Sequence, residues 1–344
     1  MIPIYTTCPP SSAFEGKDYL PHVGRVARWS EERGATGMLI YTDNSLVDPW
    51  CVAQAVLTET ERLLPLIAVQ PIYAPPFSIA KRIASLAHLY PRAIALNMVA
   101  GGFVKDLAAL GDATAHDDRY ERLLEYTQMI KALLRNESVT FEGRYFNLTD
   151  ARLSPSVPER LLPKIFVSGS SEAGANVAAS LDATAVNYPP APEALLAPVA
   201  PGTFARVGII AAETDAAAWA AAHLRFPPSR RGEMTHRLAT AVSDSVWHKT
   251  LSEMAENQSR AAGPYWLHPL KTYRTFCPYL VGSHETVGAT LARYREAGFV
   301  GFILDVPQTQ HDLAQAMEAF RHSDRHLAAA GKHHETVAAG PATL

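Results

Sequence analysis

The run from Lys164 to Asn176, KIFVSGSSEAGAN, places a glycine, two adjacent hydroxyls and a helix start within a few residues. Ile165 to Val167 read as a short buried strand, and Gly169 lets the backbone turn tightly. Ser170 and Ser171 then sit where a helix over Glu172 to Leu181 begins. The first N–H groups of a helix lack partners and carry partial positive charge, so they hold anions well. Two hydroxyls beside them would complete a phosphate cradle. Ordinary N-capping by serine accounts for the same residues without a ligand.

Other residues with chemical potential lie at the ends of apolar segments. Thr42-Asp43-Asn44 follows Thr36–Tyr41, Gln70 ends the apolar run from Leu64, and Asn97 lies inside Ala93–Val99. Asp43 and Asn44 are also ordinary turn formers. Asn97 in an apolar strand costs free energy unless its amide is paired, which points to a ligand. His116 precedes a strongly amphipathic helix and Tyr120 lies one turn inside it, where the plain readings are helix start and apolar stripe. Arg206 heads an otherwise apolar segment, Val207 to Ala212. A guanidinium cannot discharge itself, so if Arg206 faces inward it needs an anion; facing outward it could meet Glu213.

Positioning these residues requires an alternation of elements. Strand-like segments at Ile2–Thr6, Thr36–Tyr41, Leu64–Ile72, Ala93–Val99, Ile165–Val167, Ala183–Asn187, Arg206–Ala212 and Gly301–Val306 are separated by helix-like ones. The clearest helix is Asp117–Leu134; others are Tyr19–Arg33, Asp48–Thr60, Phe77–Tyr90, Asp215–Leu224, Glu285–Ala297 and His311–Ala328. A hairpin is expected from Ser138–Phe141 and Arg144–Asn147, and a helix over Arg237–Gln258. About eight strands in βα alternation predict an α/β protein with a closed (β/α)₈ TIM barrel, and an open doubly wound sheet is the competing arrangement. No GxGxxG follows the first strand, against a dinucleotide fold. One barrel domain over residues 1–330 is expected, with a lid or insertion at 228–282 and a flexible tail at 331–344.

Composition narrows the classes. The chain has 344 residues, 48% of them hydrophobic, enough for one large core. A net charge of −3 gives no footprint for nucleic acid or anionic membrane, and no apolar run nears a membrane span. Cys8, Cys51 and Cys277 are scattered, as reduced thiols would be, and no signal peptide is read at the start. A cytoplasmic protein acting on a small molecule is expected, as a dimer or tetramer.

Thr36–Ala53, Ala68–Ala84, Leu96–Gly101, His116-x-x-x-Tyr120-Glu-Arg with Glu125-Tyr-Thr, and Phe166–Ala179 together resemble the bacterial luciferase-like flavin monooxygenases, nearest their two-component alkanesulfonate branch. The resemblance runs over about residues 35 to 188 and returns at Leu280–Leu304. It implies a barrel that binds reduced FMN delivered by a separate NAD(P)H-dependent flavin reductase and uses O2 as cosubstrate. It also implies that Ser170, Ser171, Tyr120 and His116, with Gly169 at the turn and Asp43 nearby, form the cofactor site. Asn97 and Gln70 would line the isoalloxazine ring, and the Ile67–Ala68 peptide would be strained, a candidate non-prolyl cis bond. A loop arginine of the sulfonate enzymes falls near Arg274, with Lys271 as a stand-in, so Arg206 and Arg274 together would bind an anionic substrate under a mobile lid.

The departures concern the substrate end. Leu46 stands where the sulfonate enzymes carry a cysteine, Gly208 where they carry a histidine, and their last-strand tyrosine is lost in Val306-Pro307-Gln308. The resemblance therefore carries flavin chemistry further than a sulfonate substrate. A deazaflavin-dependent oxidoreductase on the same fold, or a non-catalytic flavin-binding barrel, are the alternatives.

Overall fold

The computed structural model describes residues 2–135, 138–195, 197–242, 246–257 and 263–338. The chain opens with β1 (Ile4–Thr7) and α1 (Gly16–Glu32), followed by β2 (Gly37–Ile40), α2 (Pro49–Glu59), β3 (Leu64–Val69), α3 (Pro76–Leu89) and β4 (Ala95–Val99). A short α4 (Val104–Ala109) precedes α5 (His116–Leu134), the hairpin strands β5 (Val139–Glu142) and β6 (Asn147–Ala151), β7 (Lys164–Ser168), α6 (Glu172–Ser180) and β8 (Thr184–Asn187). Then come β9 (Phe204–Ala212), α7 (Asp215–Arg225), α8 (Arg230–Val242), α9 (Val246–Asn257), β10 (Tyr265–Trp266) and α10 (His268–Lys271). The last elements are β11 (Tyr279–Ser283), α11 (His284–Glu296), β12 (Gly301–Leu304) and α12 (Gln310–Ala338).

Among the described residues eight strands pair in parallel in the order β1-β2-β3-β4-β7-β8-β9-β12, and β12 returns to β1. The barrel is closed, and the open sheet is excluded. Each strand contributes one residue to an inner core: Tyr5, Leu39, Leu66, Ala95, Phe166, Val186, Phe204 and Ile303 form a separate buried cluster. Tyr5, Phe166 and Phe204 meet edge to face, with centroids 5.2 to 5.9 Å apart. This layer plugs the barrel. Polar caps set the helix starts: Asp48, Ser171, Thr214 and Ser283 each accept from a first-turn amide of α2, α6, α7 and α11.

Departures from expectation have local causes. The hairpin's second strand begins at Asn147 rather than Arg144, because the Glu125 carboxylate takes the N–H groups of Arg144, Tyr145 and Phe146 as a turn. The expected helix over Arg237–Gln258 becomes α8 and α9, with residues 243–245 and Gln258 outside the described ones. Between β8 and β9, by contrast, the connection from Tyr188 to Ala205 is too short for a full barrel helix, as the sequence implies, and it holds a 3-10 turn at Pro192–Ala194. The space is closed by α11, whose Tyr294 and Arg293 donate to the carbonyls of Pro190 and Pro192. The last helix continues to Ala338, so part of the expected tail is helical, while residues 339–344 lie outside the described ones.

The strand β9 is longer than its barrel partners. Phe204–Val207 pair with β12, but Gly208–Ala212 pair with β11 instead. A Cβ at Gly208 would overlap the ring of Tyr279, so a residue without a side chain admits this switch. Beyond it, Ile210, Phe226, Trp266, Cys277, Tyr279 and Val281 belong to a small core of their own, which anchors described residues of the 228–282 segment to β9.

Candidate functional site

Side chains in a strand alternate, so the residue two beyond each plug residue again points into the barrel. There the residue types change. Tyr41, Ala68, Asn97, Ser168, Tyr188 and Arg206 follow Leu39, Leu66, Ala95, Phe166, Val186 and Phe204 by two. All six line a cavity of about 660 Å³ at the C-terminal mouth. This is where a barrel of this kind places its chemistry. Asp43, Gln70, Gly101, His116, Tyr120 and Gly169 complete the walls near the first five strands.

On this side the groups are fitted to one another. A Cβ at Gly169 would overlap the Tyr120 hydroxyl, and one at Gly101 would lie 2.7 Å from Gln70 Nε2, so both glycines are cut away for a polar side chain. Gly101 also has φ 94°, a conformation that favours glycine. Ser168 Oγ donates to Asn97 Oδ1 at 2.8 Å, which leaves the Asn97 amide N–H groups for a ligand. His116 and Tyr120 have ring centroids 5.2 Å apart, and His116 Nδ1 lies 2.7 Å from Asp117 Oδ1. The loop leading to His116 is tied by Asp112, which accepts from Thr114 and from Arg122 Nη2 at 2.6 Å. Burial works against the Asp112 charge, but these donors outweigh it and lower its pKa to about 2.

Ser170 and Ser171 lie next to Gly169 but are not among the cavity's wall residues; Ser170 is exposed and Ser171 caps α6, its Oγ accepting from Gly174 N at 3.2 Å. Capping uses the oxygen as acceptor and leaves the Ser171 O–H free to donate, so capping and anion binding are compatible. Asp43 faces the cavity while its Oδ1 accepts from Ser45 N and Oγ, both at 2.7 Å. The Ile67–Ala68 peptide is trans. The β3–β4 ladder runs regularly through Ala68↔Asn97, and the cis bond among the described residues is Ser154–Pro155.

The opposite side is built around a charge. Arg206 points into the cavity, not toward Glu213. Its Nη1 donates to Tyr188 Oη at 3.4 Å, its guanidinium lies 5.9 Å from the Tyr188 ring centre, and its buried Nε has no hydrogen-bond partner. Burial disfavours the charge, yet the surrounding Tyr188, Cys277, Asp305 and Tyr41 outweigh it and raise the pKa, so the group stays cationic. Asp305, two residues beyond Ile303, is already engaged: Thr275 Oγ1 and Tyr279 Oη each donate to its Oδ2 at 2.7 Å.

Described residues of the 228–282 segment cover the cavity. Thr235, Leu238 and Ala239 of α8, with Tyr273 and Phe276, form part of the cavity wall. Phe276 meets Phe103 and Tyr273 edge to face, joining the segment to the barrel loops. Arg274 is exposed and outside the cavity, as is half-buried Lys271. The reason is local: Tyr273 adopts φ 55° and Arg274 N bonds Pro269 O, a turn in which Tyr273 takes the inward position. The paired-arginine site therefore reduces to Arg206. Tyr41, Ser168, Tyr188 and Asp305 were not singled out from the sequence, although period two from a strand's core residue reaches each of them.

The sequence profile of the luciferase-like monooxygenases matches residues 6–301. The 4-(gamma-L-glutamylamino)butanoyl-[BtrI acyl-carrier protein] monooxygenase BtrO of Niallia circulans is 33% identical over 321 residues, 90% of this chain and 94% of that protein. Among solved structures, EDTA monooxygenase (EmoA) from Chelativorans sp. BNC1 superposes with a TM-score of 0.69 at 15% identity, covering 94% of both chains. The oxygenating constituent of 3,6-diketocamphane monooxygenase from Pseudomonas putida, solved with FMN, gives 0.69 at 14% identity, over 92% of this chain and 95% of that one. At such identities the two structures speak to the shared fold.

Proposed function

Because the chain belongs to the luciferase-like monooxygenase family, we propose that it uses reduced FMN and O2 to oxygenate an acyl substrate bearing an anionic group, with the flavin supplied by a separate NAD(P)H-dependent reductase. The observation that carries this reading is the change of residue type in the second inward layer. Asn97, Ser168 and Arg206 stand where further apolar plug residues would otherwise fill the barrel. Polar and charged groups in a barrel interior need partners; Ser168 and Asn97 meet each other, and the Asn97 amide and the Arg206 Nε are what a ligand would complete.

The residues present fit the cofactor. A flavin phosphate would be held by Tyr120, His116 and the Gly169–Ser171 turn at the start of α6, where the missing Cβ of Gly169 lets Tyr120 approach. Asn97, Gln70 and the small Ala68 offer donors and room for the ring system. Bound reduced flavin supplies the electrons for O2 activation, the part of the reaction that belongs to the cofactor. The chain's own residues bind, orient and shield. Arg206 fixes the substrate's anion through a forked donor set, and its charge does not depend on pH in the working range. Phe103, Tyr273 and Phe276 line the mouth with apolar surface and keep water out.

The substrate named for the Niallia circulans relative supports the substrate class. A glutamyl group joined through its γ-carboxyl keeps its α-carboxylate free, which is an anion of the kind that Arg206 can take. The name also places the acyl group on a carrier protein, and we extend that mode of presentation to this chain. Among the described residues one turn of the Gly169–Ser171 type borders the cavity, and it is assigned to FMN, so NAD(P)H is oxidised elsewhere. The purified protein alone should therefore leave NADPH unoxidised, while photoreduced FMN should support substrate-dependent O2 uptake without any reductase. Rapid NADPH oxidation by this chain alone would sink the two-component reading.

A further inference from the structure

The outer face of α8 combines features that a lid for a free small molecule does not need. Thr235 and Leu238 reach the cavity wall, yet Leu238 remains 65% exposed and its neighbour Met234 66% exposed. Arg230, Arg231 and Arg237 are exposed on the same helix, against Glu233 as its acid. Arg230 and Arg231 occupy the first turn, where the helix dipole disfavours cations. The helix thus gives up stability to hold positive charge there. The turn carrying Lys271 and Arg274 packs against it so closely that a Cβ at Gly232 would overlap the Thr272 carbonyl. Lys105, exposed, lines the facing rim. A chain of net charge −3 therefore sets cations around exposed apolar side chains on this outer face, while the acids Asp43 and Asp106 line the cavity inside it. Apolar side chains ringed by arginines have the composition of a protein interface, and the sign of the charge selects an acidic partner.

We propose that α8 and the turn after α10 are the docking surface for an acidic acyl carrier protein, which feeds its thioester-linked acyl group past Leu238 toward Arg206. This rests on the monooxygenase reading above and locates the face on which the substrate arrives. Met234 and Leu238 meet the apolar side of a carrier helix, and Arg230, Arg231 and Arg274 meet its carboxylates. Tethering then makes entry of the acyl group an event within one complex, so a weak acyl contact suffices. The Arg274 that the cavity does not use acquires a role on this surface.

The test uses the full chain and a carrier protein loaded with the 4-(γ-L-glutamylamino)butanoyl thioester, beside the same acyl group on pantetheine. Binding of the carrier, read by fluorescence anisotropy, should weaken at least about tenfold in R230E/R231E and fall steeply with salt. Binding of the pantetheine thioester and of reduced FMN should stay within about twofold, since neither meets these arginines. R230Q/R231Q should show a smaller loss in the same direction, which guards against a folding defect in the charge reversal. Equal carrier binding in wild type and both variants, or carrier binding no tighter than the pantetheine thioester, would overturn the proposal. So would loss of reductase binding, rather than carrier binding, in the same variants. Charge-dependent carrier binding without any binding of reduced FMN would instead uphold the docking surface and remove the monooxygenase reading.

Discussion

At the Gly169 end of the cavity, polar groups meet one another: Ser168 donates to Asn97, His116 lies against Asp117, and Tyr120 fills the space that a side chain at 169 would take. At the Arg206 end, a buried guanidinium touches Tyr188 at 3.4 Å and leaves its Nε without a partner. The first end is preorganised, so a ligand gains shape and hydrogen bonds there without repairing anything. The second end is incomplete, because the Asp305 carboxylate that favours the Arg206 charge is bonded to Thr275 and Tyr279 and not to the guanidinium. Binding at that end supplies what folding did not.

The largest effect should come from removing the charge. Arg206→Ala loses a charge-assisted contact of about 1.5–3 kcal/mol with an anionic substrate, so kcat/KM should fall by about a hundredfold. The same variant should lower the melting temperature only modestly, because the neighbours that hold the Arg206 pKa up, Asp305 among them, lose a favourable charge while the burial cost of the guanidinium goes with it. Reduced-FMN affinity should change less than about twofold. A substantially lower Tm with intact turnover would reverse the comparison and make Arg206 a structural residue.

The preorganised end should respond to volume. Gly169→Ala drives a methyl group into the Tyr120 hydroxyl and should weaken FMN about tenfold, with substrate KM little altered. Tyr120→Phe in that background removes the overlapping oxygen, and recovery of about 1 kcal/mol would show that the two positions are coupled. Additive losses would mean that the close approach is incidental.

The smallest effect is an acid-range test that separates the ends. The Asp112 pKa is lowered to about 2 in the fold, so its contribution is complete above the unfolded carboxylate pKa and is lost as pH falls through about 2. That contribution is about 2 kcal/mol, and Asp112→Asn should flatten the stability profile below about pH 4. Arg206, whose pKa is raised, does not titrate there, so acid should loosen the loop before His116 and spare the substrate end. An unchanged acid limb in Asp112→Asn would remove Asp112 from the support of the flavin end.

Much of the barrel is legible in the sequence because each strand is a short apolar run between helical stripes, and period and spacing are local properties. Leu64 to Val69 and Ala95 to Val99 are found within a few residues of where they fall. The polar residues on those strands, Gln70 and Asn97, are conspicuous for the same reason. The substrate end is harder to read because contacts far apart in sequence make it. Arg274 is turned outward by the conformation of Tyr273, and β9 changes partner at Gly208 because Tyr279 lies across it. Neither event leaves a periodic trace. Tyr188 and Asp305 are intermediate cases: the rule that reaches them is simple, but it needs the plug residues Val186 and Ile303 to be known first.

The central claim is that the cavity bounded by Gly169 and Arg206 is a reduced-FMN site. Anaerobic titration of the protein with reduced FMN and, separately, with a reduced deazaflavin, followed by protein fluorescence, tests it most directly. The account predicts saturable binding of reduced FMN that weakens in Gly169→Ala and persists in Arg206→Ala. Saturable binding of the deazaflavin with none of reduced FMN, or FMN binding indifferent to Gly169→Ala, would contradict it.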